Sequence, residues 1–255
     1  MEEEQLLDIC LKVTGTFEGG TPRYEALTGD SDGQGISAGI LQWNLGQGTL
    51  QELVGRIGTA MGWNKAKAII PMGDLQALSK MPPQSAIAYA HEHYLSSLDY
   101  RRIRPAAVAA WKLFLSSPES VAAQRHYAVE TVLTSAHHLA NKFVPEAANR
   151  TRVIAFFFDL VTQQGSMRTV TPLEGPASSG PVLFYAATKN LACTNKWRAV
   201  VATDELAKKL LYYAFERGKL GNPAYMWDTV SRRGSIGARV GIVHETPIDL
   251  TKVLD

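Results

Sequence analysis

The sequence predicts a mainly α fold of the α+β kind, in two lobes, with one small β-hairpin region, and three observations predict it. Apolar residues recur at helical spacing through most of the chain. One stretch punctuated by Gly, Asp and Ser, from about Tyr24 to Trp43, switches instead to strand alternation at Ile36, Ala38 and Ile40. The length, 255 residues, is where a single hydrophobic core begins to divide. A composition of 45% hydrophobic and 20% charged residues is that of an ordinary globular protein and excludes collagen, coiled coil and disordered chain. The expectation is one domain over residues 1–255, folded as two lobes.

The elements follow in order. Leu6, Leu7, Cys10, Val13 and Phe17 form one helical face, so a helix is expected over residues 3–18, stopped by Gly19-Gly20 with Glu18 as its last residue. The hairpin region is expected over about 24–44. Helices are then expected over 50–61, 84–98, 105–115, 119–143 and 144–164, with Ser117-Pro118-Glu119 as a helix start. The helix around Val153–Val161 is apolar nearly all round and is expected to be central. Residues 169–181, with Pro172, Pro176 and Pro181, read as a loop and as the best hinge candidate. A late helix over 204–217 is expected to be capped by Thr203 and ended by Gly218, and the last forty residues mix short helical and extended pieces.

Several chemistries fail on spacing. No window approaches the roughly 18 apolar residues of a membrane span. His91-Glu92-His93 begins like a zinc-protease motif, but Leu95 stands where the second His is needed, so a surface helix is expected. Gly33-Gln34-Gly35 lacks the third glycine of a dinucleotide turn, and Tyr213 stands where a phosphate loop before Gly218-Lys219 needs Gly. Asp30-Ser31-Asp32-Gly33-Gln34-Gly35 starts like a calcium loop, but Leu41 replaces the closing Glu. Arg101, Arg102 and Arg104 lack aromatic interleaving, and a net charge of +2 is too weak to argue for nucleic acid. Cys10 and Cys193 sit on apolar stretches and read as buried free thiols. No metal and no cofactor are implied.

One constellation survives. Glu18, at the end of a helix, is followed by Asp32 in a Gly-rich turn. Cleavage of a glycosidic bond needs such a pair: one carboxyl protonated, to donate to the leaving oxygen, and one ionised, to activate water or stabilise the cationic sugar. The negative end of the helix dipole and the apolar neighbour Phe17 both disfavour ionisation of Glu18, leaving Asp32 as the ionised partner. Structurally, the same residues also read as a decorated helix end and an Asp-Gly hairpin turn. Asp159, inside an apolar helix, needs a cation to offset its burial, and Arg232, Arg233 and Arg239 are the late candidates.

The stretch Phe17-Glu18-Gly19-Gly20, then Tyr24, then Gly29 through Trp43 resembles the catalytic signature of the lysozyme-like glycoside hydrolases, and most of all the bacterial chitosanases and related peptidoglycan-cleaving domains. The resemblance implies a two-lobed lysozyme-like fold, with the Glu18 helix on one wall of a cleft and the hairpin on the other. It implies Glu18 as general acid, Asp32 as general base and Ser37 as the residue that holds the attacking water; Asp30 shares the turn and is the alternative base. Tyr24, Asp30, Gln42 and Trp43 are expected to bind substrate, with Trp227 as a further aromatic platform. Phe157 through Gly165 and Arg232 through Gly237 resemble, more loosely, the segments that place Asp159 and its arginines behind the acid, with Arg239 a further candidate.

Chitosan is a polycation, whereas peptidoglycan carries free carboxylates, so a mildly basic chain favours a muramidase that cuts between N-acetylmuramic acid and N-acetylglucosamine. A chitosanase, a non-catalytic polysaccharide-binding domain and a lytic transglycosylase are the alternatives; Asp32 argues against the last. Met1–Gln5 carries three glutamates and no secretory signal, so the expectation is synthesis in the cytoplasm and action in the periplasm or cell wall after delivery by another route, as an endolysin or as a fragment of a secretion-system effector. An effector implies an immunity protein in the producer.

Overall fold

The computed structural model describes residues 2–17 and 23–255. The chain forms two compact units, one of Met1–Thr21 with Thr131–Asp255 and one of Pro22–Glu130. It is mainly helical, as the apolar spacing requires, and none of the described helices is long and apolar enough to cross a membrane.

The first unit opens with α1 (Glu3–Thr16), whose Leu7, Cys10, Leu11, Val13 and Thr14 are buried and whose C-cap is Phe17. The expected helix over 3–18 is therefore observed to Thr16, and Glu18 with Gly19-Gly20 lies outside the described residues.

The second unit begins with a three-stranded antiparallel sheet, β1 (Leu27–Thr28), β2 (Ser37–Ala38) and β3 (Trp43–Asn44), in the order β1-β2-β3. Thr28 is opposite Ser37, and Ala38 is opposite Trp43. Gly39 follows β2 at φ +81, and a Cβ there would lie 2.7 Å from Gln124 Oε1, so both conformation and space call for glycine. That oxygen accepts the amide of Ile40 at 2.9 Å, while Gln124 Nε2 donates to Leu115 O and Ser120 Oγ. A fully buried amide thus ties the small sheet to the helices behind it.

Those helices are α2 (Thr49–Met61), α3 (Trp63–Ile69), α4 (Leu75–Leu78), α5 (Pro83–His93), α6 (Pro105–Leu115) and α7 (Pro118–Ala128). In α2 the residues Leu50, Leu53, Val54, Ile57 and Met61 bury one stripe, and α2 packs on α7. Ser117 caps α7 by accepting from the Ser120 amide. The helix expected over 84–98 ends at His93. Leu95 is fully buried and Leu98 is 96% exposed, so their helical spacing is accidental. They belong instead to a hairpin, β4 (Leu95–Ser96) and β5 (Asp99–Ile103). Arg104 stops the helix by donating to the carbonyls of Glu92 and Leu95.

The long helix expected over 119–143 is interrupted by a π-helical turn, Val129–Leu133, before α8 (Thr134–Phe143). The boundary between the units falls inside that turn. In the first unit, the central helix is α9 (Thr151–Gln164), where every residue from Thr151 to Leu160 is buried. It begins later than expected because Pro145–Ala147 form a separate short turn. Residues 169–181 are irregular up to α10 (Gly180–Lys189), but they lie within the first unit; the chain passes between units at 21/22 and 130/131. The helices α11 (Leu191–Val201), α12 (Glu205–Lys219) and α13 (Met226–Ala238) complete the unit, with the hairpin β6 (Val240–Val243) and β7 (Thr246–Asp249). Asp204, not Thr203, caps α12, because its carboxylate reaches the Ala207 amide. Cys10 and Cys193 are both buried and free, and burial holds both thiols above their ordinary pKa, Cys193 at about 11.

Candidate active site

In the second unit, the loop between β1 and β2 carries Asp30 and Asp32, and the structure gives them different surroundings. Asp32 is exposed; its Oδ1 accepts the Gln34 amide at 3.1 Å, the hydrogen bond of an Asx turn. The Asp30 side chain is only 7% exposed, and its Oδ2 lies 2.7 Å from His91 Nε2. Burial would raise the pKa of Asp30, but the hydrogen bond with His91, the nearby Gly35 and Gly33 amides and the His91 charge together lower it. Those two amides act on the carboxylate from a distance, since Asp30 Oδ1 makes no hydrogen bond of ordinary geometry. The expected surface role of His91 is thereby corrected. Its ring nitrogen is committed to Asp30, and its ring lies flat on Tyr100, with centroids 4.0 Å apart. Sequence spacing gives no sign of this pair, because the partners are 61 residues apart.

Ser37 is half-buried in β2, and its hydroxyl makes no hydrogen bond with any of the described residues. Gln42 adopts φ +54; its Nε2 donates to Gly39 O and its Oε1 accepts from Thr28 Oγ1. Tyr24 is half-buried, its OH accepting from Arg125 Nη1 at 3.0 Å. Trp43, read from the sequence as a sugar platform, is 6% exposed and stacks on Tyr127 at 5.4 Å, so it packs inside its unit. The Tyr127 hydroxyl bonds to Glu52, and burial together with that carboxylate raises its pKa.

In the first unit, Asp159 is fully buried in α9 and faces two arginines of α13. Its Oδ1 accepts from Arg232 Nε at 2.7 Å, and its Oδ2 lies 3.6 Å from Arg233 Nε, beyond a hydrogen bond. Burial pulls the Arg233 pKa down to about 10 against the opposing pull of Asp159. The rest of the Arg233 guanidinium is taken by Gln164 and Gln163. Arg232 also donates to the Thr14 carbonyl of α1, and its guanidinium lies over the Phe17 ring. Arg239 is not in this network. It ends α13 in a left-handed conformation, with Nη2 3.8 Å from Asp204, which Arg152 already holds at 2.6 Å. The αL cap turns Arg239 out of the helix that carries the other two, so Arg233 takes the place expected for it. Trp227 is half-buried against Trp197 and Tyr185 in the first unit. Glu18 lies outside the described residues.

No family model matches the sequence, and no curated protein is similar to it. Solved structures do match. The native chitosanase of Bacillus subtilis MY002 superposes with a TM-score of 0.56 at 21% identity, over 92% of this chain and 88% of that one. The fold is that of the chitosanases. Chitosanase OU01, solved with substrate, gives 0.57 at 16% identity over 95% of both chains. The GH46 chitosanase of Gynuella sunshinyii, solved with chitotetraose, gives 0.52 at 17% over 92% and 88%. At these identities the likeness is one of fold, and it agrees with the lysozyme-like architecture expected from the signature around Glu18 and Asp32. The chitosanase fold extends over nearly the whole chain, well beyond the motifs that suggested it.

Proposed function

We propose that the chain is a glycoside hydrolase that cuts a β-1,4-linked amino-sugar polysaccharide, with Glu18 as general acid and Asp32 as general base. In this reading Glu18 gives its proton to the glycosidic oxygen. Water held near Ser37 attacks the anomeric carbon, and its proton passes to Asp32. The observation that carries the reading is the difference between the two loop carboxylates: Asp30 is buried and committed to His91, whereas Asp32 is exposed and, among the described residues, bonds only through Oδ1, to the Gln34 amide. The chitosanase fold supports it.

The polymer we propose is peptidoglycan, cut between N-acetylmuramic acid and N-acetylglucosamine, because a chain of net charge +2 is steered towards a polyanion. Its setting is then the bacterial cell wall, its effect is lysis, and its producer is guarded by an inhibitory partner. Chitosan is the second reading, favoured by the ligands of the similar structures, which include six GlcN residues and chitotetraose. Parallel digestion of purified peptidoglycan and chitosan, followed by analysis of new reducing ends, decides between them. Release from peptidoglycan alone is expected, and E18Q is expected to abolish it. Release from chitosan alone moves the substrate to the second reading, and anhydro-muramic ends would replace hydrolysis by transglycosylation.

A further inference from the structure

We propose that His91 is a positioning residue for Asp32: together with Asp30 and Tyr100 it clamps the start of the loop that presents this carboxylate to water. The proposal rests on the hydrolase reading above and deepens it.

The loop is pinned at both ends. At its start, Asp30 N donates to Tyr100 O at 2.9 Å, and Asp30 Oδ2 meets His91 Nε2 at 2.7 Å. Tyr100 therefore acts twice, its carbonyl holding the Asp30 backbone and its ring lying against the imidazole, with an interplanar angle of 10°. Just before this point the chain is pressed against β5, where a Cβ on Gly29 would lie 2.4 Å from Arg101 O. At the far end, Gly46 N donates to Gln34 O at 2.9 Å and Leu45 N to Ile36 O at 3.2 Å. Between these anchors Ser31, Asp32 and Gly33 are exposed, with Asp32 at the apex.

A surface loop of small residues has many conformations and gains a fixed apex only by losing that freedom. The two anchors supply the constraint; in the first, Tyr100 O holds the Asp30 backbone and one imidazole from α5 holds its side chain. The geometry also separates the two aspartates by role. Asp30 spends its Oδ2 inside the protein, which suits a clamp, whereas a sugar-binding carboxylate would present its oxygens to solvent. The same placement accounts for His91-Glu92-His93, which has no metal-binding spacing: His91 turns inward to Asp30, while the ring of His93 lies against Tyr89.

The test compares H91A, H91Q and wild type on whichever polymer the wild-type chain cuts, and adds amide exchange at Gly33, Gln34 and Gly35 by NMR. A displacement of about 1 Å at a catalytic group costs up to roughly 10²-fold in rate. For H91A, kcat is expected to fall about 10- to 100-fold with KM held within about twofold, and the three amides to exchange faster. H91Q keeps a side-chain N–H for Asp30 and is expected to recover most of kcat and of the protection. Unchanged kcat in H91A overturns the proposal, and so does a rise in KM alone, which would make the pair a substrate contact. Where H91A fails to fold, H91Q carries the test: a kcat as low as that of D32N in a folded H91Q chain overturns the clamp. Wild-type protein that cuts neither polymer sinks the hydrolase reading and the catalytic role with it. Unchanged exchange in folded H91A sinks the clamp alone.

Discussion

The guanidinium of Arg232 lies over the ring of Phe17, 5.0 Å from its centroid, while its Nε bonds to Asp159 and its Nη2 to the carbonyl of Thr14. Thr14 belongs to the last turn of α1, where its carbonyl takes only the tight C-cap bond from Phe17 N among the described backbone amides and the dipole is negative, so a cation there is favourable. One side chain therefore neutralises a buried carboxylate and supports the end of the helix that leads, in sequence, to Glu18.

Asp159 bonds to Arg232 and lies 3.6 Å from Arg233, so removing its charge takes a fully buried anion away from both buried arginines. D159N is expected to lower unfolding free energy by about 3–5 kcal/mol, the range for breaking a buried ion pair. Chemical denaturation of variant and wild type measures it. A loss below about 1 kcal/mol would be that of an exposed pair and would contradict the burial.

The loop carboxylates should separate in kinetics. D32N is expected to reduce kcat at least about 100-fold, the low end of general acid–base catalysis. D30N retains a hydrogen-bonding group for His91 and is expected to lose much less. The reverse order would move the base to Asp30. If the reaction inverts the anomeric centre, NMR of the first-formed sugar shows the opposite anomer to the substrate.

Acid sensitivity is expected at Asp204. Burial raises its pKa, but the hydrogen bond from Arg152, the Ala207 amide and the charges of Arg152 and Arg239 outweigh burial and set it below the ordinary value. A carboxylate with a lowered folded-state pKa adds stability above its unfolded pKa of about 3.9, and loses it as pH falls through the folded value. Wild type should therefore lose stability below about pH 4 more steeply than D204N. Melts between about pH 3 and 6 read this difference, and parallel curves would remove Asp204 from the acid response.

Gly234 lies in the middle of α13, where a Cβ would come within 2.4 Å of Trp197 Cζ2 and 2.5 Å of Cη2. The indole is fully buried, with its Nε1 bonded to Val240 O, and has no room to shift. G234A gains helix propensity but overpacks this contact, and a net loss of about 1–3 kcal/mol is expected. A rise in Tm would show that the indole gives way.

The helices with a single apolar face, such as α1 and α2, were legible in the sequence because helical period and burial coincide in them. So was the need of Asp159 for a late cation. The β4–β5 hairpin was not, because Leu95 and Leu98 mimic a helical period that exposure contradicts. Two corrections share one cause. Trp43 is buried on Tyr127, and His91 is bound to Asp30, through partners 84 and 61 positions away, which local patterns do not encode. Arg239 was misassigned for a backbone reason, since its positive φ turns it away from the face that holds Arg232 and Arg233.

The unit that contains α1 is assembled from two separate stretches of chain. Thr14 and Arg232 meet across 218 residues, while Pro22–Glu130 is a single uninterrupted segment. Synthesis in chain order therefore delivers the whole of the second unit while α1 still lacks the α9 helix that packs on it and Thr14 still lacks Arg232. Within this chain α1 is made before the second unit and before α9 and α13, yet its partners in both of those helices come only after that whole unit.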